Sequence, residues 1–452
     1  MSNKVILFAA ALMILISQAY AQNQKQVSVT VYNSNLGVVK DVREMDIGSG
    51  VSIIQLTDVA ERIDPTSVKI KLDGEVLEQN YQYDLVSLDK ILRKYIDKDI
   101  QLIGENDEVL DGRLLSSYGS QVVLQKKEGG LVMLPNVSKY RFSVESLPEG
   151  LITKPTLIWT VNSNQSGSQE VEVTYQTTGM SWHAEYVALL NADDTALDLN
   201  SWVSIDNSSG TTYKNARLKV VAGDVNRVQQ GRGVWDDNVQ YEMAMTKSAQ
   251  AFEEKAFFEY HIYDLQRPTT IANNETKQIS LFEAENVRAD KKYYYYSRAQ
   301  GGTTQGKVSV IVEFENKEGN SLGIPMPKGK VRVYKSDGES VEFVGEDLID
   351  HTPKNEKVKL KIGEAFDIVV EEVQTENRKI TNKVYEQSWS LTFRNRKEES
   401  IVIDVERYLG INWEILNSSL DYEKKDAQNI KFKVPVNADG EKVLKFKVRY
   451  TY

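Results

Sequence analysis

Apolar and polar residues alternate along most of the chain after residue 26. Val27, Val29 and Val31 share one face of an extended segment, as do Val68, Ile70 and Leu72, and Val171, Val173 and Tyr175. The same pattern returns in Val358, Leu360 and Ile362, in Ile401, Ile403 and Val405, and in Ile430, Phe432, Val434 and Val436. It ends with Leu444, Phe446, Val448, Tyr450 and Tyr452. Period-two alternation with polar partners predicts half-buried antiparallel strands. Asp73-Gly74, Asp337-Gly338 and Asp439-Gly440 read as hairpin dipeptides. Many short strands without alternating helices predict an all-β protein built of antiparallel β-sandwich domains.

One stretch breaks the pattern. Over residues 85–98, Leu88, Ile91, Leu92, Tyr95 and Ile96 recur at helical spacing, with Lys90, Arg93, Lys94 and Asp97 opposite. Ser87 is the expected N-cap. Turn signals then divide residues 99–144 into five short strands, which predicts a small barrel-like, SH3-sized module. The expected organisation is a segment 1–21 that is removed, a β segment 22–84, the helix and barrel at 85–150, and a sandwich region 151–452. Within that region, residues 229–255 are polar and lack either period, with Gly231 and Gly233 near their start. They are expected to form a mobile insertion, with a short helix over residues 248–256 as the other reading of its end.

The N-terminal segment reads as a secretory signal. Lys4 precedes an apolar run over residues 5–16, and Ala19-Tyr20-Ala21 offers a small-x-small cleavage site before Gln22. That run is too short to cross about 30 Å of hydrocarbon as a helix, and no later stretch is long enough. The mature chain is therefore expected to be exported, periplasmic or extracellular, with no membrane span. Cysteine is absent from all 452 residues. An exported protein without disulfides must be held by its cores, and thiol catalysis, iron–sulfur clusters and cysteine zinc sites are excluded. The formal net charge of -10 speaks against nucleic acid as a partner. Only 3 histidines are present against 23 tyrosines, so general bases and imidazole ligands are few.

The segment Tyr175-Gln-Thr-Thr-Gly-Met-Ser-Trp182-His-Ala-Glu-Tyr186 carries a second kind of information. It continues through Leu197-Asp-Leu-Asn-Ser-Trp202, Tyr213-Lys-Asn-Ala and Val221-Ala-Gly-Asp224, then through Tyr260-His261-Ile-Tyr263 and Tyr385-Glu-Gln-Ser-Trp389. Over roughly residues 170–452 the chain resembles an exported bacterial family described as domain of unknown function 4139, found also in mucoidy-inhibitor-like proteins. The N-terminal third lacks the long coiled coil of those members. The resemblance implies an exported β-sandwich and brings no catalytic residues with it.

Candidate chemistry is sparse. His183, His261 and His351 stand outside any zinc-hydrolase spacing, and no Gly-x-Ser-x-Gly elbow occurs. The carboxylate pairs Asp193-Asp194, Asp236-Asp237 and Glu371-Glu372 face opposite ways wherever they lie in strands, and are expected at the solvated surface. Asn191-Ala-Asp193-Asp194 and Asn437-Ala-Asp439-Gly440 resemble calcium loops but lack the alternate-ligand spacing, so hairpin turns account for both. Among the tryptophans, Trp182, Trp202, Trp389 and Trp413 are read as core. The recognition candidates are aromatic: Tyr293 and Tyr295 in the run Tyr293-Tyr294-Tyr295-Tyr296, and the pair His261 and Tyr263 on one strand face. No cofactor and no metal are expected. The reading is a non-enzymatic envelope protein with a binding, adhesion or structural role toward an envelope protein or glycan. The alternative is a carboxylate-dependent hydrolase of polysaccharide or peptide.

Overall fold

The computed structural model describes residues 23–105, 107–223, 225, 252–257, 260–299, 301–336 and 339–452. The expected signal segment, residues 229–251 of the expected insertion, Asp236-Asp237 and the Asp337-Gly338 turn lie outside the described residues. The described chain is all-β, with many antiparallel strands and one α-helix. Among the described residues, no helix is long and apolar enough to cross a membrane. The chain divides into two compact units. Within the described residues, one holds 23–29, 38–178 and 209–216, and the other holds 30–37, 179–208 and 217–452.

In the first unit, Gly167–Thr177 lies between Leu36–Ile47 and Ile63–Lys71. Thr156–Ser163 lies between Gly50–Thr57 and Glu75–Gln82, antiparallel to both. Strict alternation buries Leu157, Trp159 and Val161 on one face of that central strand. The helix forms over Leu88–Lys94, where Ser87 Oγ accepts the Lys90 N–H at 3.3 Å. Its apolar stripe sets Leu92, with Tyr95 just beyond its end, against Leu102, Leu114, Val122 and Leu124. Five antiparallel strands supply that face, in the order Arg141–Ser143, Asp99–Ile103, Val109–Tyr118, Gln121–Gln125, Leu131–Leu134. The expected barrel does not close. Its edge strands are only 3 and 4 residues long and remain unpaired with each other, and the helix covers the apolar face instead.

The Asp73-Gly74 dipeptide also differs from expectation. The strands it joins, Ile63–Lys71 and Glu75–Gln82, pair with different partners, so the turn carries the chain from one sheet to another. Asp439-Gly440 likewise joins strands with different partners, Asn429–Val436 and Glu441–Thr451, although both belong to one sheet of the second unit. Asp439 N–H is held there by the Lys397 carbonyl at 2.9 Å, which ties the turn to a neighbouring loop.

In the second unit, Met180–Leu190 pairs antiparallel with Ala196–Asn207 and parallel with Gly329–Ser336. Ala196–Asn207 continues to the 23-residue strand Glu275–Ser297. Opposite Asp198 that strand carries two residues, 285 and 286, and Asn286 adopts a left-handed φ of 54° with its N–H on Asp198 Oδ1 at 2.9 Å. A bulge of this kind bends a strand and raises its twist. Beyond it, the strand pairs with Thr303–Glu315 on one side and runs parallel to Ile401–Tyr408 on the other. A sandwich follows. One layer runs from Thr303–Glu315 through Lys357–Lys379, Val384–Asn395 and Glu441–Thr451, while Ile401–Tyr408 and Asn429–Val436 form the other. Val370, Trp389, Phe393, Ile403, Phe432 and Phe446 fill the space between.

Phe252–Phe257 is a strand, paired with Tyr260–Leu265. The expected insertion therefore ends before residue 252, and the helical reading of residues 252–256 is replaced by sheet. Phe252 is buried there, which local polarity alone does not predict.

Candidate functional site

Irregular pairing builds a cavity of about 240 Å³ in the second unit. The strand Lys357–Lys379 pairs with Thr303–Glu315, but not evenly. Between the pairs Lys307 with Val369 and Ser309 with Glu364, Val308 alone faces residues 365–368. One more residue, Ile362, is extra between the pairs Val310 with Gly363 and Ile311 with Lys361. Bulges of this kind re-aim side chains. The extra residues Ile362, Ala365, Phe366 and Asp367 all line the cavity. Arg396 N–H donates to the Asp367 carbonyl at 2.8 Å, which fixes the larger bulge to the adjoining strand. Gly345, on the strand Val341–Ile349, lets that strand close over the wall, because a Cβ there would stand 2.1 Å from the Ile362 carbonyl oxygen. Leu190, Val310, Val312 and Val344 complete an apolar lining.

The polar end of the cavity is assembled from three separate strands or turns. Asn191 Oδ1 accepts the Thr195 and Ala196 N–H groups at 2.9 and 3.2 Å, closing the hairpin between Met180–Leu190 and Ala196–Asn207. Asp194 takes the left-handed position of that turn, with φ 58°, and its carboxylate turns inward. Lys291 Nζ reaches it at 2.6 Å and Lys335 Nζ at 2.5 Å. Burial pushes the Asp194 carboxyl upward, but the two ammonium hydrogen bonds outweigh it and hold the group below its ordinary range. Burial likewise pulls Lys291 down, and the hydrogen bond to Asp194, aided by Tyr293, leaves it raised. Lys291 Nζ also stands 5.9 Å from the Tyr293 ring centre, a cation–π distance. Lys397 and Asp367 complete the rim.

Exposed apolar side chains stand at the cavity and along the neighbouring strand Val341–Ile349. Phe366, raised on the bulge, is 96% exposed, and Leu348 is 72% exposed. Val341, Phe343 and Val344 on the same strand as Leu348 are exposed too. Phe343 is held edge-on to Tyr334, with ring centres 5.6 Å apart. Full burial of such side chains is worth about 1.5–3 kcal/mol each, and this surface forgoes it.

The four aromatic and histidine candidates fall at three places. Tyr293 is in the cavity wall, and its buried hydroxyl makes no hydrogen bond among the described residues. Tyr295 belongs to the sandwich core, edge-on to Phe393, with its hydroxyl donating to Glu372 Oε2 at 3.2 Å. The tyrosine run alternates as expected, but the solvent-facing member is Tyr296, with Tyr294 half-buried. His261 Nδ1 meets Glu254 Oε1 at 2.7 Å. Tyr263 is buried edge-on to Trp182 and donates to the Pro325 carbonyl at 2.9 Å. The His261–Tyr263 face thus serves packing and a hydrogen bond to Glu254, away from the cavity lining. Trp182 and Trp389 are core, whereas Trp202 is exposed on its outer edge and Trp413 is half-buried.

Two carboxylate expectations are corrected. Asp194 is not solvated, since both lysines cover it. Glu372 faces inward while Glu371 faces outward to Arg394 at 2.6 Å, so the opposite-facing rule holds but the solvated placement does not. Glu372 is 1% exposed and pairs with Arg407, itself 2% exposed. Ser297 Oγ donates to Glu372 at 2.7 and 2.8 Å, Arg407 donates to Ser297 Oγ at 2.5 Å and to the Ala299 carbonyl at 2.8 Å, and its guanidinium lies 4.1 Å over Trp389. Burial lowers the Arg407 pKa, and the Glu372 charge opposes that. Among the described residues no group of three or more His, Asp or Glu side chains could hold a metal ion.

Residues 171–452 match the model of the family described as Domain of unknown function (DUF4139), and the chain belongs to that family. No curated protein matches the chain.

Proposed function

With membership of this family as the premise, we propose that the chain is an exported β-sandwich protein of the bacterial envelope that works by binding, in an adhesive or structural role, without catalysis. The observation that carries this reading is exposed apolar surface at two neighbouring places, Phe366 and Val344 at a cavity with a charged end, and Val341, Phe343 and Leu348 along the strand that carries Val344. Solvent-facing apolar clusters of this kind are characteristic of interaction sites. The signal-like segment at the N-terminus supports export, with the mature chain beginning at Gln22.

The hydrolase reading would draw on a second cavity, about 270 Å³, lined by Asp290, Glu313, Glu315, Lys317 and Lys357. A glycosidase needs one carboxyl held protonated at neutral pH. Burial raises Glu313, but Lys292, Lys359 and Lys357 outweigh it and lower the group. The hydrogen bond from Lys317 lowers Glu315. Carboxylates held ionised suit ion pairing, so the binding reading is preferred. Envelope extract from the native host, passed over the immobilised mature protein and over a Phe343→Ser/Phe366→Ser variant, tests the choice. Capture of envelope protein or glycan that depends on the two aromatics is expected. Equal capture by both, or export-independent localisation with Met1 retained, would refute it.

A further inference from the structure

We propose that the cavity beneath Phe366 binds an amphipathic monocarboxylate, a single carboxylate carried on an apolar group. The proposal rests on the binding reading above and adds the chemistry of what is bound.

Charge decides the head group. Lys291 and Lys335 both approach Asp194, which leaves one net positive charge among these three groups, with Glu399 acting on Lys291 from farther off. Lys397 stands 3.9 Å from the Glu399 carboxylate, and Asp367 also lines the cavity. An ammonium has three donors, and each of the two spends one on Asp194 in the bonds described. Donors therefore remain for one further anionic oxygen pair. A charge-assisted hydrogen bond is among the stronger polar contacts.

The walls decide the rest of the ligand. Leu190, Val310, Val312, Val344, Ile362 and Ala365 offer no polar side-chain atom. A sugar would bring several hydroxyls, and beyond the Tyr293 hydroxyl these walls leave them without partners, at a cost for each one desolvated. A phosphate dianion would bring a charge larger than the net charge waiting for it and no group for the apolar walls. An aliphatic or aromatic carboxylate satisfies both ends, and Phe366, which lines the cavity and is 96% exposed, is free to cover its tail.

Two sources share this chemistry: a free acid, and the C-terminal carboxylate of a peptide ending in an apolar residue. Calorimetric titration of the full mature chain separates them. The probes are octanoate, n-octanol as its uncharged counterpart, and N-acetyl-leucine as the peptide terminus. Octanoate is expected to bind at least about tenfold more tightly than n-octanol, the worth of one charge-assisted contact. Lys335→Met should weaken octanoate about tenfold and leave n-octanol unchanged, and Ala365→Trp should fill the cavity and abolish both. N-acetyl-leucine binding more tightly than octanoate assigns the peptide source, and the reverse order assigns the free acid. No octanoate binding at about 10 mM, or n-octanol binding as tightly as octanoate to the wild-type chain, would overturn the proposal. The wild-type comparison stands even if a variant does not fold. Phe343 lies outside the cavity lining, so Phe343→Ser should keep octanoate binding. Envelope capture that ignores both aromatics while octanoate still binds refutes only the broader reading, and aromatic-dependent capture without octanoate binding refutes only this one.

Discussion

Breaking the ion pair inside the C-terminal sandwich provides the sharpest test of how this fold is held. Glu372 and Arg407 are almost completely removed from solvent. Substituting Glu372 with Gln keeps the shape and leaves the guanidinium charge buried among Ser297, the Ala299 carbonyl and the Trp389 face. Removing one partner of a buried pair typically costs about 3–5 kcal/mol, because the remaining charge is uncompensated. Arg407→Met strands Glu372 with only the Tyr295 and Ser297 hydroxyls, and also loses a desolvated cation–π contact worth about 2 kcal/mol. Each single change should therefore cost about 4 kcal/mol. The double change Glu372→Leu/Arg407→Met removes both charges, and should cost less than either single change, with a coupling energy of at least about 2 kcal/mol. Urea unfolding at neutral pH, followed by tryptophan emission, reads the series through Trp389. With a slope of about 3 kcal/mol per M, each single variant lowers its midpoint by more than about 1 M. Single variants costing under about 1 kcal/mol, or a double variant costing the sum of both, would refute the view that these charges hold each other.

Other expectations are narrower. The lowered Asp194 pKa means that its stabilisation is complete above its ordinary value of 3.8 and is lost as pH falls through the lower folded value. Asp194→Asn should cost about 2 kcal/mol at neutral pH, and the gap to wild type should close below about pH 4; a gap that persists in acid would refute the lysine pairing. Raised Lys291 gives the opposite limb, with stabilisation complete below 10.5 and lost as pH rises through its higher folded value, which alkaline melts of Lys291→Met would check. A Cβ on Gly306 would stand 2.3 Å from the Tyr295 ring, so Gly306→Ala should cost about 1–3 kcal/mol by overpacking and broaden the near-ultraviolet tyrosine signal. Phe366→Ser, by contrast, should change the melting free energy by less than about 0.5 kcal/mol, since the ring rests almost wholly in solvent; a larger loss would make Phe366 a packing residue.

The alternation in the sequence was sufficient to identify strands and their buried faces. Ile430, Phe432, Val434 and Val436 are all buried, as are Leu444, Phe446, Val448 and Tyr450, because a two-residue period is a local property of an extended chain. The helix with its Ser87 cap, and the inward and outward division of the tyrosine run, were legible for the same reason. Glu372 could have been placed too. It shares parity with the buried Ile368 and Val370, but composition alone suggested a solvated acid. The site depended on longer range. Lys291 lies 97 residues from Asp194 and Lys335 lies 141 residues away, so no local pattern announces their meeting. The only local sign of the cavity is the broken alternation at Ile362-Gly363-Glu364-Ala365-Phe366-Asp367, and without a pairing partner such a break cannot be told from a loop. Which edges each Asp-Gly turn connects was undecided for the same reason. A turn dipeptide specifies a local reversal of backbone, whereas the pairing of strands across a sheet is decided by packing of whole faces, and that exists only once the chain has folded.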